Sequence, residues 1–310
     1  MKTEMVSPRA KERFCKDCNI PIKIYREPYF SDRIILFDKY FGTIEKWDVF
    51  LRNLQKYHCE QDYFEEYNRT KDAAISSIKC TDAFQKFNAE DMNKYMVKHN
   101  GLPVADIFQP SNHGRLFVSV DMKKANFSAL HNYDPAIFNN ISAWEEFMQQ
   151  FTDNQHVISS KYIRQVILGN CNPKRQATYE KYLMDSVLGH LTENMMPLKN
   201  VVFFSNDEIV FDVTESEISL DFVDFLQNIC NEKMNVPLQI KYFKLHRIGN
   251  TEGYYEEVFN SSNKRIEFKC VDSYLMPIVI RRFNGEEPTE SDLTFYHNGS
   301  LARYIEAPEF

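Results

Sequence analysis

The sequence predicts an α+β fold: an antiparallel sheet with helices on one face, preceded by a helical region. Two apolar, strand-like runs end in acidic residues. Leu116-Phe117-Val118-Ser119-Val120 closes on Asp121, and Val201-Val202-Phe203-Phe204 leads into Ser205-Asn206-Asp207-Glu208. The stretch from 43 to 97 instead carries apolar residues at helical spacing. After 115 the elements run strand, helices, hairpin, helix, strand, the β-α-β-β-α-β order of a ferredoxin-like sheet. Three regions follow: a helical region over 1–114, a sheet-bearing domain over 115–283 and an extension over 284–310.

Taken in order, residues 1–20 read as polar and basic, and 20–37 as a mixture of apolar and charged residues around Pro21 and Pro28. Thr43 caps an expected helix whose face holds Trp47, Phe50, Leu51 and Leu54. A second helix is expected over 61–78, with Tyr63, Tyr67, Ala74 and Ile78 in phase, then shorter ones over 83–87 and 91–97. Gly101-Leu102-Pro103 and residues 110–114 punctuate a loop before strand 115–121. Helices are then expected over 125–131, from Asp134-Pro135, from a capping box at Ser142-Ala143-Trp144-Glu145, and over 159–168, where Gly169-Asn170 ends the run. Pro173 suits the first turn of a helix carrying Tyr179, Tyr182, Leu183, Val187 and Leu191. The hairpin spans 200–213, and Ile218, Phe222, Phe225, Leu226 and Ile229 mark the next helix. Strands are expected over 238–243, 253–259 and 264–270.

Composition bounds the function. The chain has 310 residues, 43% apolar and 14% aromatic, enough to bury a core. Its 9 glycines form neither G-x-G-x-x-G nor G-x-x-x-x-G-K-[ST], so a glycine-rich phosphate loop is not expected. No apolar run reaches the roughly 18 residues of a membrane span, and Met1-Lys2-Thr3-Glu4 lacks a leader's apolar stretch. A net charge of −7 disfavours tight, sequence-independent coating of duplex DNA, which needs cations against phosphate. Seven cysteines without a dense framework suit a reducing, cytoplasmic or otherwise intracellular setting. Cys15-x-x-Cys18, with His58, Cys59 and Cys80 as further donors, leaves a small zinc site open beside the reading of ordinary reduced thiols.

The chemistry rests on the acids. Asp121 beside Asp207 or Glu208 makes a two-carboxylate magnesium site, because magnesium takes hard oxygen ligands and fills its shell with water and phosphate. Two such ions about 4 Å apart form the clamp for in-line phosphoryl transfer. Lys161, Arg164, Lys174 and Arg175 place four cations on helices between the acidic motifs, as candidate triphosphate contacts.

The segment from Phe117 to Phe127, with Asp121 closing its strand, resembles motif A of palm-domain polymerases, reverse transcriptases in particular. Phe204-Ser205-Asn206-Asp207-Glu208-Ile209-Val210-Phe211 resembles their motif C, and Gly169-Asn170-Cys171-Asn172-Pro173 is loosely similar to motif B. The likeness covers residues 115–270, and its acids are Asp-Glu rather than Asp-Asp. The turn is also similar to the Ser-Asp-Glu of tRNA-His guanylyltransferases, whose motif A carries a Gly where this chain has Met122. The resemblance implies a palm in which Asp121 binds two magnesium ions with the Met122 carbonyl. Asp207 is the second ligand, Glu208 assists, and Phe127 lies beneath the sugar. Lys241 or Lys244 supplies the lysine such palms often carry. It implies nucleotidyl transfer from a nucleoside triphosphate, with nucleic acid as partner; the lack of a span-length apolar run adds the expectation of no membrane.

Plainer readings stand beside these. Asp121 also suits a helix cap and Asn206-Asp207 a tight turn. The four cations also suit a solvated helix face. Lys241 and Lys244 are three apart, so strand alternation lets only one face a site. His131, His190, His246 and Cys171 show no ligand or nucleophile pairing. A palm-type nucleotide cyclase needs the same carboxylates, and a non-catalytic nucleic-acid or protein-binding module needs only the sheet. Buried aromatics with a carboxylate cluster at the open face favour an enzyme; aromatics exposed on the sheet favour single-strand stacking.

Overall fold

The computed structural model describes residues 6–260 and 264–309. Five helices come first: α1 (Pro8–Asp17), α2 (Tyr29–Phe41), α3 (Thr43–Leu54), α4 (Glu60–Lys79) and α5 (Asp82–Ala89). Strand β1 (Leu116–Met122) is followed by α6 (Ala125–Tyr133), α7 (Trp144–Gln149), α8 (Gln155–Ser159), α9 (Lys161–Gly169) and the long α10 (Pro173–Asn194). The hairpin β2 (Val201–Phe204) and β3 (Glu208–Asp212), α11 (Leu220–Lys233), β4 (Leu238–Arg247), β5 (Tyr254–Val258) and β6 (Arg265–Lys269) complete the main sheet. Helix α12 (Met276–Phe283) and a separate hairpin, β7 (Thr294–His297) and β8 (Ser300–Arg303), end the chain. The expected α+β class holds: a six-stranded sheet in the order β2-β3-β1-β4-β5-β6, with every neighbouring pair antiparallel.

Two helices escaped the sequence reading because they bury charge. Helix α1 buries Lys11 and Asp17 with Ala10 and Phe14; Lys11 is paired to Glu27 at 2.5 Å. Helix α2 buries Arg33 among Phe30, Ile34 and Phe37. A charge on the inner face breaks the apolar period by which a helix is recognised. Helices α2 and α3 meet at Gly42, whose φ of 58° is left-handed, a conformation that costs glycine little. Gly42, not Thr43, occupies the N-cap of α3; the Thr43 hydroxyl donates instead to the Ile34 carbonyl. Other boundaries also move. The stretch 91–97 yields only a 3-10 turn, Met92–Lys94, and the expected helix 159–168 divides at Ser160, whose hydroxyl caps α9. Ala143 precedes α7, so the expected capping box is not formed. Helix α11 buries Val223, Leu226 and Cys230, while Phe225 is 49% exposed.

One hydrophobic core runs from Val6 to Ile280 and joins the N-terminal helices to the helix-covered face of the sheet. The change of element type near 115 is therefore not a break in packing. Its N-terminal part is an aromatic nest: Phe14 lies 4.8 Å from Trp47, and Phe50 lies 5.8 Å from Tyr63. A buried polar hub sits beside it. Asp17, 1% exposed, accepts from Tyr67 Oη (2.9 Å) and Ser160 Oγ (3.2 Å) and meets His156 Nε2 (3.0 Å). Among the described residues no helix is long and apolar enough to cross a membrane.

The C-terminal extension is clamped by a second buried carboxylate. Asp292, 1% exposed, accepts from Arg33 Nη1 (2.8 Å), Arg281 Nε (2.9 Å) and the Thr289 amide (2.9 Å). Removing one partner of a buried pair leaves the other charge uncompensated. Asp292→Ala is expected to cost about 3–5 kcal/mol in urea denaturation; a loss below about 1 kcal/mol would show that the clamp is not needed.

Candidate functional site

Strand β1 lies at the centre, between β3 and β4. Alternation along it separates two faces. Val118, Val120 and Met122 enter the main core, and Phe117, Ser119 and Asp121 take the opposite face. Register seats Asp121 between Glu208 of β3 and Gln239 of β4, and Ser119 between Val210 and Lys241. This second face is itself divided. At one end Phe117, Phe243 and Tyr254 are sealed, 0%, 1% and 3% exposed, under Ile107 of the preceding loop. At the other end the side chains are charged.

Asp207 reaches this end through the β2–β3 turn. The Ser205 amide donates to the Glu208 carbonyl (2.8 Å) and closes the turn. The Ser205 hydroxyl accepts from the Glu208 amide (2.9 Å) and donates to Asp207 Oδ1 (3.0 Å). The Asp207 carbonyl accepts from the Met122 amide (2.8 Å), which ties the turn to the end of β1. Asp207 thus has the tight-turn chemistry expected of it and still sits against the strand that carries Asp121.

The electrostatics are those of crowded acids. Burial pushes the Asp121 carboxyl up to about 6, helped by the charges of Glu208 and Asp207 and opposed by Lys241 and Lys161. Burial also raises Glu208, against Ser119 and Lys241. The Ser119 hydroxyl, 1% exposed, favours the charged form of Glu208 yet closes no hydrogen bond of normal geometry. Lys241 extends over the face to Glu256 (2.5 Å) and Glu267 (3.4 Å). Burial works against its charge, but Glu256 and Glu267 outweigh that and hold it raised. Burial likewise opposes the Glu267 charge, but Lys241, Lys269 and Arg265 bring that carboxyl down to about 2.

Of the cations expected between the motifs, Lys161 opens α9 and acts on Asp121. Arg164, half-buried one turn later, feels Glu145, which pairs with Lys124 at 2.5 Å. Lys174 is exposed in the first turn of α10. Arg175 is committed elsewhere: it donates to the carbonyls of Phe87 (3.1 Å) and Glu90 and so closes the end of α5. Phe127 is 5% exposed, packed on Phe138 (4.6 Å) and Trp144 (6.0 Å) in the core rather than offered to a sugar. Lys244 pairs across from Leu116 on the face opposite Lys241. Among the described residues no three His, Cys, Asp or Glu side chains are grouped to hold a metal ion. That applies to Cys15 and Cys18 as well; burial pushes both thiols up, Cys18 to about 12, away from the thiolate zinc takes.

Helix α10 supplies two residues that sequence reading missed. Glu180, 5% exposed, accepts from Asn126 Nδ2 (2.9 Å), and burial with the Asp207 charge pushes it up to about 7. Lys181 donates to two backbone carbonyls at the base of the turn, and burial brings its ammonium down to about 8. No sequence signal marks them, since both fall within an ordinary helical period. Cavities of about 580 and 500 Å³ flank the segment 20–25, away from the acids.

A carboxyl raised above its ordinary 3.8 binds its proton more tightly folded than unfolded. Its contribution to stability therefore falls as pH climbs from about 4 through about 6 and stays low above. Asp121→Asn is expected to stabilise the fold by about 1–2 kcal/mol at pH 8 and not at pH 4. Denaturation at the two pH values checks this, and a variant less stable at pH 8 would contradict it.

Neither a protein-family model, nor a curated protein, nor a solved structure matches this chain.

Proposed function

We propose that the charged end of the open sheet face is a magnesium-dependent nucleotidyl-transfer centre on a ferredoxin-like, palm-type sheet. A nucleoside triphosphate would be the donor and a nucleic-acid hydroxyl the expected acceptor. The observation that carries this is the division of that face. A stacking module needs exposed aromatics on its sheet. Here Phe117, Phe243 and Tyr254 are sealed, and Asp121, Asp207 and Glu208 gather where the apolar cover stops. The order β2-β3-β1-β4 supports the sheet type, since it returns the fourth strand beside the first.

The donor set suits magnesium. One or two carboxylates with water and phosphate oxygens complete its shell, so three grouped side chains are not required. Asp121 and Asp207 would hold the metal, with the Met122 carbonyl and Glu208 assisting. Burial, and after it the charges of Glu208 and Asp207, raise the Asp121 carboxyl, so a cation there would relieve both. Bound magnesium would neutralise triphosphate charge and favour ionisation of the acceptor hydroxyl. The chain's own groups do the rest. Lys161, whose charge acts on Asp121, and Arg164, one turn later on α9, would bind phosphate oxygens. Lys241, fixed by two carboxylates, would offset the acids from within the sheet.

Calorimetric titration of the four ribonucleoside triphosphates with magnesium tests this. Wild type is expected to bind in a magnesium-dependent manner, Asp121→Ala to lose at least about tenfold, and Lys161→Ala to lose about threefold to tenfold. A folded wild type that binds none of them, alone or with magnesium, sinks the proposal and leaves the sheet as a non-catalytic binding module. Deoxynucleotides run in parallel guard against a choice of the wrong sugar.

A further inference from the structure

We infer that Lys181 is a positioning residue, holding the acid-bearing turn at 205–208 in place from α10 through its backbone; this rests on the proposed carboxylate site. Lys181 Nζ donates to the carbonyls of Phe204 (2.8 Å) and Ser205 (3.1 Å) and stands 3.0 Å from the centre of the Phe204 ring. Those carbonyls belong to the last residue of β2 and the first of the turn. Phe204 is otherwise fixed, 1% exposed, with its amide donating to the Pro103 carbonyl (2.8 Å). The ammonium therefore pins the peptide unit from which the turn departs. Its half-buried surroundings strengthen bonds from a charged donor.

Ser205 passes the constraint on. A hydroxyl has one proton and two lone pairs. Ser205 Oγ accepts from the amides of Asp207 (3.3 Å) and Glu208 (2.9 Å), and its proton faces Asp207 Oδ1 (3.0 Å) with the Glu208 carbonyl (3.3 Å) as the longer alternative. Fixing the Ser205 backbone thus fixes the group that aims the Asp207 carboxylate. Glu180, the preceding residue of α10, faces the same carboxylate, whose charge adds to burial in raising it. One turn of α10 thus grips the base of the acid-bearing turn through Lys181. A lysine that only anchored the hairpin to the helix would affect global stability and leave Asp207 unaffected.

Two measurements separate these roles. The first is amide hydrogen exchange. In Lys181→Met, protection of the Asp207 and Glu208 amides is expected to fall about tenfold, with β1 and the rest of α10 unchanged. The second is manganese(II), the metal alone, titrated by paramagnetic resonance. Its dissociation constant is expected to rise about tenfold in Lys181→Met and to return to within about threefold of wild type in Lys181→Arg, which keeps two donors for the carbonyls. Lys181→Gln replaces Lys181→Met if the latter does not fold. Unchanged exchange at 207–208 overturns the inference, and so does altered exchange with unaltered manganese affinity. If wild type binds no manganese, the proposed function fails, and exchange alone decides whether Lys181 holds the turn.

Discussion

The register between β1 and β3 is the constraint on which the rest of the molecule depends. It seats Asp121 opposite Glu208, an arrangement that costs energy, because like charges directly opposed in a sheet repel by roughly 1 kcal/mol or less. The other face of the same strand decides the matter. Val118, Val120 and Met122 are 0%, 1% and 2% exposed, and burying each contributes about 1.5–3 kcal/mol. A slip by one residue would turn these three outward and drive Ser119 and Asp121 into the core. Burial therefore outweighs repulsion several-fold, and the acids are held together by side chains that never touch them. Crowded acids of this kind are a stability cost that a cation would relieve.

Around this strand the chain uses buried charge as cement rather than as chemistry. Asp17 joins α1 to α4 and α8, and Asp292 joins the C-terminal segment to α2 and α12. Both carboxylates are saturated with donors, as a buried charge must be. Asp121 differs. It lies in a partly open site, its nearest charged neighbours are acids, and the bases that act on it are two lysines. The contrast between saturated and unsaturated carboxylates picks out the site more sharply than acidity alone, since 44 Asp and Glu residues are spread through the chain.

The charged end of the open face has a lysine on either flank. Lys241 is gripped by Glu256 and Glu267, with Lys269 and Arg265 completing the network. Three cations there meet two carboxylates, and Lys241 presents a positive charge on the face of Ser119 and Glu208. On the side of the turn, Lys181 satisfies backbone carbonyls and Glu180 faces Asp207. The site is thus framed by two lysines with different duties, one in the sheet and one on the helix behind the turn.

How much of this was legible follows from range. Periodicity alone located β1, the β2–β3 hairpin, α4 and α10 to within a few residues, because each shows an unbroken apolar pattern over its own length. It also placed Lys241 and Lys244 on opposite faces, a matter of local alternation. Helices α1 and α2 were hidden, because the charges on their inner faces find partners far along the chain: Glu27 for Lys11, Asp292 for Arg33. Arg175 and Phe127 carried the right chemistry for a phosphate or a sugar, yet tertiary packing committed one to the end of α5 and the other to the core. Glu180 and Lys181 were indistinguishable from any helix surface until the turn docked on them. The sequence by itself determined the elements with a clear local pattern and the acidic character of two strand ends, since these depend on neighbours within a few residues. Which acids share a face, which cations reach them and which are spent elsewhere was decided only in three dimensions, where partners distant in sequence are brought into contact.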